Sequence, residues 1–195
     1  MESTETRSAG RAVGAGVVAG VVAAAAMGMF AMVAGATYLR TGFFTPMYHI
    51  ASTLIGPDAM EASMQRAADG NLFYLQAGPA ALGLAAHLLV GAVFGAAFGI
   101  IARALRLRGG LAVAVGVTYG LLVLVVMSFV GLPIAASLFD AGDPIAEMPS
   151  MVGWPTFTIE HALFCLVLGI WPLVRPGDVT AERPAPRTVQ APSLS

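Results

Sequence analysis

Three ionisable side chains lie inside long apolar stretches of the sequence. His87 lies in the stretch 79–101. Glu160 and His161 are neighbours in the stretch 155–174. Ionisable groups in a membrane span are costly, usually face the interior of the bundle and have a partner there. Each histidine follows, by six to eight residues, a proline that opens its stretch, so we expect the two imidazoles at nearly equal depth.

The two histidines are compatible with three functions and one structural role. Their neutral imidazole nitrogens could ligate a b-type haem or a metal ion. They could instead form a proton-linked site with Glu160, or line a substrate pathway in which Glu160 binds and releases the proton. On a helix Glu160 points about 100° away from His161, so it can face a neighbouring span or the outer loop. In the structural role, each histidine holds a helix seam through a hydrogen bond.

Other residue types that could do chemistry give weaker indications. Five methionines of the predicted outer loops, with His49, could bind copper or silver, since thioethers prefer soft metals; they are Met47, Met60, Met64, Met148 and Met151. The first three are better explained by the apolar faces of short helices.

Cys165, the only cysteine, lies in the middle of an apolar span, where a thiol stays inert. No phosphate loop, zinc motif or nucleophile with a base is present, so we expect no catalytic residue and a non-enzymatic protein.

The composition is that of a membrane protein. The chain has 195 residues, of which 57% are hydrophobic and 11% charged, whereas a soluble domain carries about 25% charged residues. A membrane helix needs about 20 apolar residues, and the stretches 12–39, 79–101, 110–135 and 155–174 are long enough. We therefore expect an all-α integral membrane protein, a four-transmembrane-helix bundle in a lipid bilayer. A net charge of −1 provides no basic surface for nucleic acid.

The arginines predict the orientation of the four spans. All ten basic residues are arginine, which with the alanine-rich and glycine-rich composition indicates a bacterium. The side with both termini holds Arg7, Arg11, Arg103, Arg106, Arg108, Arg175, Arg183 and Arg187. The other side holds only Arg40 and Arg66. The positive-inside rule then predicts an inner (plasma) membrane protein with a cytoplasmic tail 1–11, a membrane domain 12–174 and a disordered cytoplasmic tail 175–195.

The outer loop 40–78 is too long to be structureless in a compact protein. Thr45 followed by proline resembles an N-cap, and Gly56-Pro57 separates a first short helix from a second. The first helix has an apolar stripe of Met47, Ile50, Ala51, Leu54 and Ile55. The second has acids in its first turn and Arg66 in its last. We expect two amphipathic helices that either seal the bundle or form a lid over a cavity or a partner surface.

Small residues recur at every fourth position in all four spans, which predicts tight helix packing. The rows are Gly16, Gly20, Ala24 and Gly28; Gly83, His87, Gly91, Gly95 and Gly99; Gly116 and Gly120; and His161, Cys165 and Gly169. They also align: the segment 20–27 matches 120–127, and His87 with Gly91 and Gly95 matches His161 with Cys165 and Gly169. The sequence therefore predicts two tandem helical hairpins related by duplication.

Three segments resemble the YagU-like family of small bacterial inner-membrane proteins. They are the glycine-rich second span with its early His87, the third span with Tyr119-Gly120 and then the segment 127–133, and the Glu160-His161 start of the fourth span. Together they cover most of the region 78–169. The resemblance implies an integral inner-membrane protein of four spans and assigns no activity or site. The all-arginine charge set and the C-terminal tail depart from it.

Three hypotheses about function remain open at this point. The first is a non-enzymatic structural or stress-related membrane protein. The second is a small proton-coupled transporter or carrier that uses Glu160, His87 and His161. The third is a haem-b or metal-binding protein whose ligands are the two histidines. A homo-oligomer or a membrane-protein partner is compatible with all three, because four helices enclose little volume.

Overall fold

In a computed structural model, the chain is a bundle of α-helices. The structure describes residues 2–174, with side chains from 9 to 171, and contains no strand in that part of the chain. The predicted tail 175–195 therefore lies outside the described residues. The elements are α1 (Glu2–Ala36), α2 (Thr45–Ile55), α3 (Asp58–Ala68), α4 (Ala77–Ala104), α5 (Gly109–Val126), a π-helical turn (Met127–Gly131), α6 (Leu132–Leu138), α7 (Gly142–Ala146), α8 (Met148–Val152) and α9 (Trp154–Val174).

Four helical segments are long and apolar enough to cross a membrane, so the predicted all-α bundle is confirmed. They are Ala9–Ala36, Ala77–Ala104, Gly109–Leu138 and Trp154–Trp171. The third consists of α5, the π-helical turn and α6. The first ends at Ala36, short of the predicted limit at 39. There the hydroxyl of Thr37 donates to the carbonyl oxygen of Val33 at 2.6 Å and satisfies one of the last carbonyls of the helix.

The spans pack as two hairpins, as the sequence predicts. α1 packs along α4 to form the first hairpin, and α5 packs along α9 to form the second. The contact of α1 with α9 joins the hairpins, whereas α4 and α5 scarcely touch although a short turn connects them. Around the bundle the order is therefore α4, α1, α9, α5. In this order α4 and α5 lie at the two ends, and they are separated over most of their length.

Glycines form the seam of the first hairpin. A methyl group on Gly20 would overlap the carbonyl oxygen of Gly91 and lie 2.8 Å from the Cα of Gly95. One turn away, a methyl group on Gly16 would overlap the carbonyl oxygen of Gly95 and lie 3.1 Å from the Cα of Gly99. Close backbone approach of this kind is typical of small-residue seams in membrane helices. The α1–α4 distance is thus determined by the absence of side chains at these positions.

The seam of the second hairpin pairs the positions that the sequence alignment makes equivalent. A methyl group on Gly116 would lie 2.8 Å from the Cα of Gly169. A methyl group on Gly120 would overlap the Sγ of Cys165. The alignment matches these two contacts with the Gly16–Gly95 and Gly20–Gly91 contacts of the first hairpin. Agreement between a sequence alignment and two independent contacts supports the duplication.

The lid, which is α2 and α3, covers one end of the bundle, here called the capped end. α2 lies against α4, and a Cβ on Gly83 would be 2.7 Å from the carbonyl carbon of Met47. Tyr48 is fully buried, and its hydroxyl donates to the carbonyl oxygen of Tyr74 at 3.1 Å. The same hydroxyl accepts the backbone N–H of Gln76 at 2.7 Å. These bonds fix α2 against the beginning of α4.

The expectation that Thr45 caps α2 is wrong. Thr45 is the first residue of the helix, and Phe44 precedes it without a side-chain cap. The Thr45 hydroxyl instead donates to the carbonyl oxygen of Thr41 at 2.6 Å and lies 2.8 Å from the hydroxyl of Ser63. A tertiary hydrogen bond between α2 and α3 therefore replaces the local capping bond that the Thr-Pro pair predicts.

The predicted apolar stripe of α2 is buried at one end only. Met47 and Ala51 are buried, whereas Leu54 and Ile55 are 49% and 51% exposed. Buried residues outside the stripe are Thr45, Tyr48, His49 and Ser52. α2 touches α3, α4 and α7, so it is covered on more than one face. An apolar pattern does not distinguish side chains that face protein from those that face lipid.

The connection between the third and fourth spans contains elements that the sequence did not predict. The helix continues beyond the predicted limit at 135 to Leu138, and α7 and α8 follow. Ile145 of α7 is fully buried in a cluster with Leu132 and Phe157. The Nε2–H of His49 on α2 donates to the carbonyl oxygen of Pro144 at 2.6 Å. The connections of the two hairpins therefore meet at the capped end.

Candidate functional site

A cavity of about 460 Å³ lies between the hairpins, beneath the lid. Its walls come from α1, α2, α4, α5, α6 and α9, with α3, α7 and α8 at the capped end. The lining is mostly apolar. A volume of this size is within the range of about 300–1,000 Å³ that holds small organic ligands.

The cavity brings together the ionisable residues that the sequence singled out. His87 on α4 and the adjacent Glu160 and His161 on α9 all line it, although neighbouring positions on a helix point in different directions. Glu160 and His161 are only 6% and 7% exposed. His49 on α2 also lines the cavity. Helices of both hairpins and of the lid therefore converge on one group of polar side chains.

Each histidine of the spans makes one hydrogen bond to the backbone. The Nε2–H of His87 donates to the carbonyl oxygen of Ala24 on α1 at 2.9 Å, across the first hairpin. The Nδ1–H of His161 donates to the carbonyl oxygen of Phe157, one turn earlier on α9, at 2.8 Å. Gly28 provides the space for His87, because a Cβ there would lie 3.3 Å from the imidazole. These bonds leave Nε2 of His161 and Nδ1 of His87 as acceptors.

Glu160 differs from both histidines because its carboxyl group has no partner. Within residues 9–171 it makes neither a hydrogen bond nor an ion pair. Buried polar groups in proteins are generally hydrogen-bonded, and those that are not call for an explanation. An unpartnered acid in the lining of an apolar cavity is a group that a ligand or a proton can satisfy.

The hydrogen bond of His87 does not favour this residue as a haem ligand. The Nε2 of His87 is held by Ala24, so this residue could offer only its Nδ1, the nitrogen nearest the backbone. Binding a haem through Nε2 would break the bond that joins α4 to α1. The described residues also contain no group of three or more histidine, cysteine, aspartate or glutamate side chains placed to hold a metal ion. The structure therefore gives no support to the haem-b hypothesis.

Methionines form much of the apolar wall. The five outer-loop methionines that were considered above as metal ligands together with His49 all line the cavity. Met27 of α1 and Met127 of the π-helical turn line it as well. Sequence analysis missed these last two, because a methionine in an apolar span carries no signal of its own. Phe94, Phe157 and Phe164 complete the wall near the polar group.

The cavity is open on the side where α4 and α5–α6 separate. Leu89 of α4 and Phe139 at the end of α6 line it and are 66% and 50% exposed. Towards the other end of the bundle this gap is closed, because the hydroxyl of Tyr119 donates to the carbonyl oxygen of Phe94 at 2.9 Å. The rings of Phe98 and Tyr119 pack there with centroids 5.4 Å apart. The exposed part of the lining therefore lies between two helices long enough to span a membrane and continues to Leu54 of the lid and Met151 of α8, which are 49% and 50% exposed.

Cys165 belongs to the second seam and not to the cavity. Its thiol is fully buried and donates to the carbonyl oxygen of His161 at 2.6 Å. The packing glycines have the same role: Gly16, Gly20, Gly95, Gly99, Gly116, Gly120 and Gly169 lie along the two seams. Among the packing glycines, only Gly28 and Gly91 also reach the cavity lining.

Comparisons with protein-family models, with curated proteins and with solved structures find no match to this chain. The resemblance to the YagU-like family therefore stays a prediction from the sequence motifs.

The contact of His49 with Pro144 predicts a pH-dependent stability. Burial lowers the pKa of His49, which keeps the imidazole neutral in the folded protein. In the unfolded chain the pKa of a histidine is about 6.5, so below this pH the unfolded chain binds a proton on His49 that the folded protein does not bind. The free energy of unfolding therefore falls as the pH falls below about 6.5, by up to about 1.4 kcal/mol per pH unit. We expect His49→Gln, which retains a donor for Pro144, to show a smaller fall in melting temperature between pH 7.5 and 5.5. Identical pH profiles of the two proteins would contradict this assignment.

Proposed function

We propose that the chain is a non-enzymatic inner-membrane protein that binds a small organic molecule in the cavity and exchanges it against a proton on Glu160. The observation that carries this proposal is the buried Glu160 carboxyl group, which has no partner among the described residues. Of the hypotheses that the sequence left open, the proton-coupled carrier is the one this group favours.

A carrier of this kind needs a group that is stable in two states. An ionised carboxylate in apolar surroundings is costly unless it is paired. The protonated carboxyl group and the ligand-bound carboxylate are therefore the two states that the cavity supports at low cost. His87 and His161 both line the cavity, and the acceptor nitrogen of each can accept a hydrogen bond from a protonated acid or a ligand.

A purely structural role explains less. It accounts for the hydrogen bonds of the two histidines and for the glycine seams, but not for an open cavity with an unpartnered acid. One chain encloses this cavity by itself, so the proposed carrier does not depend on a homo-oligomer or on a membrane-protein partner. Both of those stay predictions.

The orientation is also part of the proposal. The turn that joins α4 to α5 carries Arg103, Arg106 and Arg108, and α4 extends from the lid to this turn. The positive-inside rule places these arginines in the cytoplasm, together with both termini. The capped end and the polar group of the cavity then belong to the outer half of the inner membrane.

Dicyclohexylcarbodiimide tests whether Glu160 holds a proton at a site that an apolar reagent reaches. The carboxyl proton moves to one nitrogen of the carbodiimide, whose central carbon bonds to a carboxyl oxygen, and the adduct rearranges to a stable N-acylurea. In proteoliposomes we expect this label on Glu160, detected by mass spectrometry of the peptides. The label is expected to disappear from the Glu160→Gln protein.

A matched control uses Glu147, an exposed acid at the capped end that does not line the cavity. The Glu147→Gln protein should keep the full label on Glu160. A water-soluble carbodiimide with an added amine should modify Glu147 and leave Glu160 unmodified. The proposal fails if dicyclohexylcarbodiimide leaves Glu160 unlabelled, or if the water-soluble reagent labels it equally well.

A further inference from the structure

We propose that the ligand of the cavity is a lipophilic organic cation. Its positive group would pair with the Glu160 carboxylate, and its apolar body would lie against the methionine and phenylalanine side chains of the wall. This inference rests on the proposed function and adds to it the chemical class of the ligand.

The charge of the cavity points to a single positive group. Glu160 is the one charged side chain in the lining of the cavity, within the part of the chain that the structure describes. The other titratable groups that face it are the imidazoles of His161 on α9, His87 on α4 and His49 on α2. The lining residues of α1, α5, α6, α7 and α8 include no titratable side chain. An ionised Glu160 therefore has no compensating charge in the cavity until a cation enters.

The wall suits an organic cation better than a strongly hydrated ion. Seven methionines and four phenylalanines line the cavity. Methionine is flexible and polarisable, so methionine-rich surfaces adapt to apolar ligands of different shape. The face of an aromatic ring attracts a cation, most strongly where the pair is desolvated. Phe157 and Phe164 lie on the same helix as Glu160, one turn before and one turn after it.

The position of the opening indicates how such a ligand arrives. The lining residues Leu89 and Phe139 are exposed between α4 and α6, which gives a ligand a route into the cavity from the side. A molecule that enters sideways between two membrane-spanning helices comes from the bilayer and must first dissolve there. An amphipathic cation does so with its charge near the headgroups, at the depth where α9 begins and Glu160 lies.

The methionines also raise the question of a soft metal ion such as silver. Thioether sulfur and imidazole nitrogen are suitable ligands for it. The sulfurs, however, are spread over α1, α2, α3, the π-helical turn and α8, and the His49 Nε2 that belongs to this set is bonded to Pro144. These methionines line a volume of about 460 Å³, which is much larger than the coordination sphere of one metal ion. We therefore favour the organic cation and include silver in the test.

The test compares three probes of similar shape and different charge. Tetraphenylphosphonium, triphenylphosphine oxide and tetraphenylborate are cationic, neutral and anionic. Binding to the full chain in nanodiscs is measured by equilibrium dialysis, with protein-free nanodiscs subtracted. We expect saturable binding of one tetraphenylphosphonium ion per chain, at least tenfold tighter than either comparator. Because the cation displaces the proton of Glu160, its affinity should rise by up to about tenfold per pH unit, with one proton released per ion bound.

Two variants complete the experiment. Glu160→Gln should weaken the binding of tetraphenylphosphonium at least tenfold and abolish the proton release, whereas Glu147→Gln should change neither. Equal affinity for the neutral probe, or binding of silver without tetraphenylphosphonium, would overturn the inference. Absence of binding while dicyclohexylcarbodiimide still labels Glu160 would overturn the cation class and leave the proposed function standing. Failure of both experiments would remove both.

Discussion

Replacement of Gly20 by leucine is expected to disrupt the first hairpin. A Cβ at this position would overlap the carbonyl oxygen of Gly91 and lie 2.8 Å from the Cα of Gly95. Both obstacles are backbone atoms, so no rotamer change relieves the overlap and α1 must move away from α4. Overpacking of a core costs about 1–3 kcal/mol of stability. Because a whole helix must move, we expect a loss at or above the upper end of this range. For a chain of this size, 3 kcal/mol corresponds to a fall in melting temperature of roughly 6–12 °C.

A control for this prediction lies on the same helix. Gly14 is exposed, and a Cβ there would meet no atom within 4 Å. The Gly14→Leu protein should melt within a few degrees of the unchanged protein, since it removes a helix-destabilising glycine and creates no overlap. Melting is measured in mild detergent. Equal shifts for the two substitutions would show that the glycine seam does not determine the α1–α4 distance.

Loss of the first seam is also expected to affect the cavity. α1 forms one wall of it, and the bond from His87 to Ala24 crosses from α4 to α1 close to Gly20. When α1 moves, this bond lengthens and the imidazole loses its fixed position. The same seam that packs the hairpin therefore positions one side of the polar group. A protein with Gly20→Leu should lose carbodiimide labelling of Glu160 as well as thermal stability.

The sequence predicted those parts of the fold that depend on local composition and period. Apolar stretches long enough to cross a bilayer identify the four spans, since only helices satisfy their backbone there. The rows of small residues predicted which faces meet, because helices in lipid associate by close packing. His87, Glu160 and His161 could be selected in the same way, since ionisable residues in an apolar span have few alternatives to the bundle interior.

The sequence did not predict what tertiary contacts decide. The Thr45 hydroxyl bonds to α3 and to the preceding loop, so the local capping signal of Thr-Pro was misleading. The π-helical turn and the short helices α7 and α8 have too few residues to show a period. The convergence of methionines from five elements on one cavity depends on how the hairpins pack. In a membrane protein, moreover, the apolar pattern is weak evidence for burial, because apolar side chains of the spans such as Val93 are 61% exposed.

The duplication leads to the second large prediction, which concerns the seam of the second hairpin. At Gly120 a Cβ would overlap the Sγ of Cys165 and lie 2.6 Å from its Cβ, so Gly120→Ala is expected to destabilise the protein by about 1–3 kcal/mol. The equivalent contact of the first hairpin is between two glycines, Gly20 and Gly91. Cys165→Gly would reproduce that pair, at a cost of about 1 kcal/mol for glycine in a helix.

Combining the two substitutions should therefore recover stability. Without the cysteine side chain, the nearest remaining neighbour of the alanine Cβ at position 120 is the carbonyl oxygen of His161 at 3.5 Å, which is ordinary contact. We expect the double variant to be more stable than the sum of the single effects by about 0.5–3 kcal/mol, the usual range for residues in contact. Detergent melting curves of the four proteins measure this coupling. Additive effects would mean that Gly120 and Cys165 do not touch. The contact equivalent to Gly20–Gly91 would then be absent from the second hairpin. A favourable coupling would show that the hairpins are built on the same contacts with different side chains, glycine in the first and cysteine in the second.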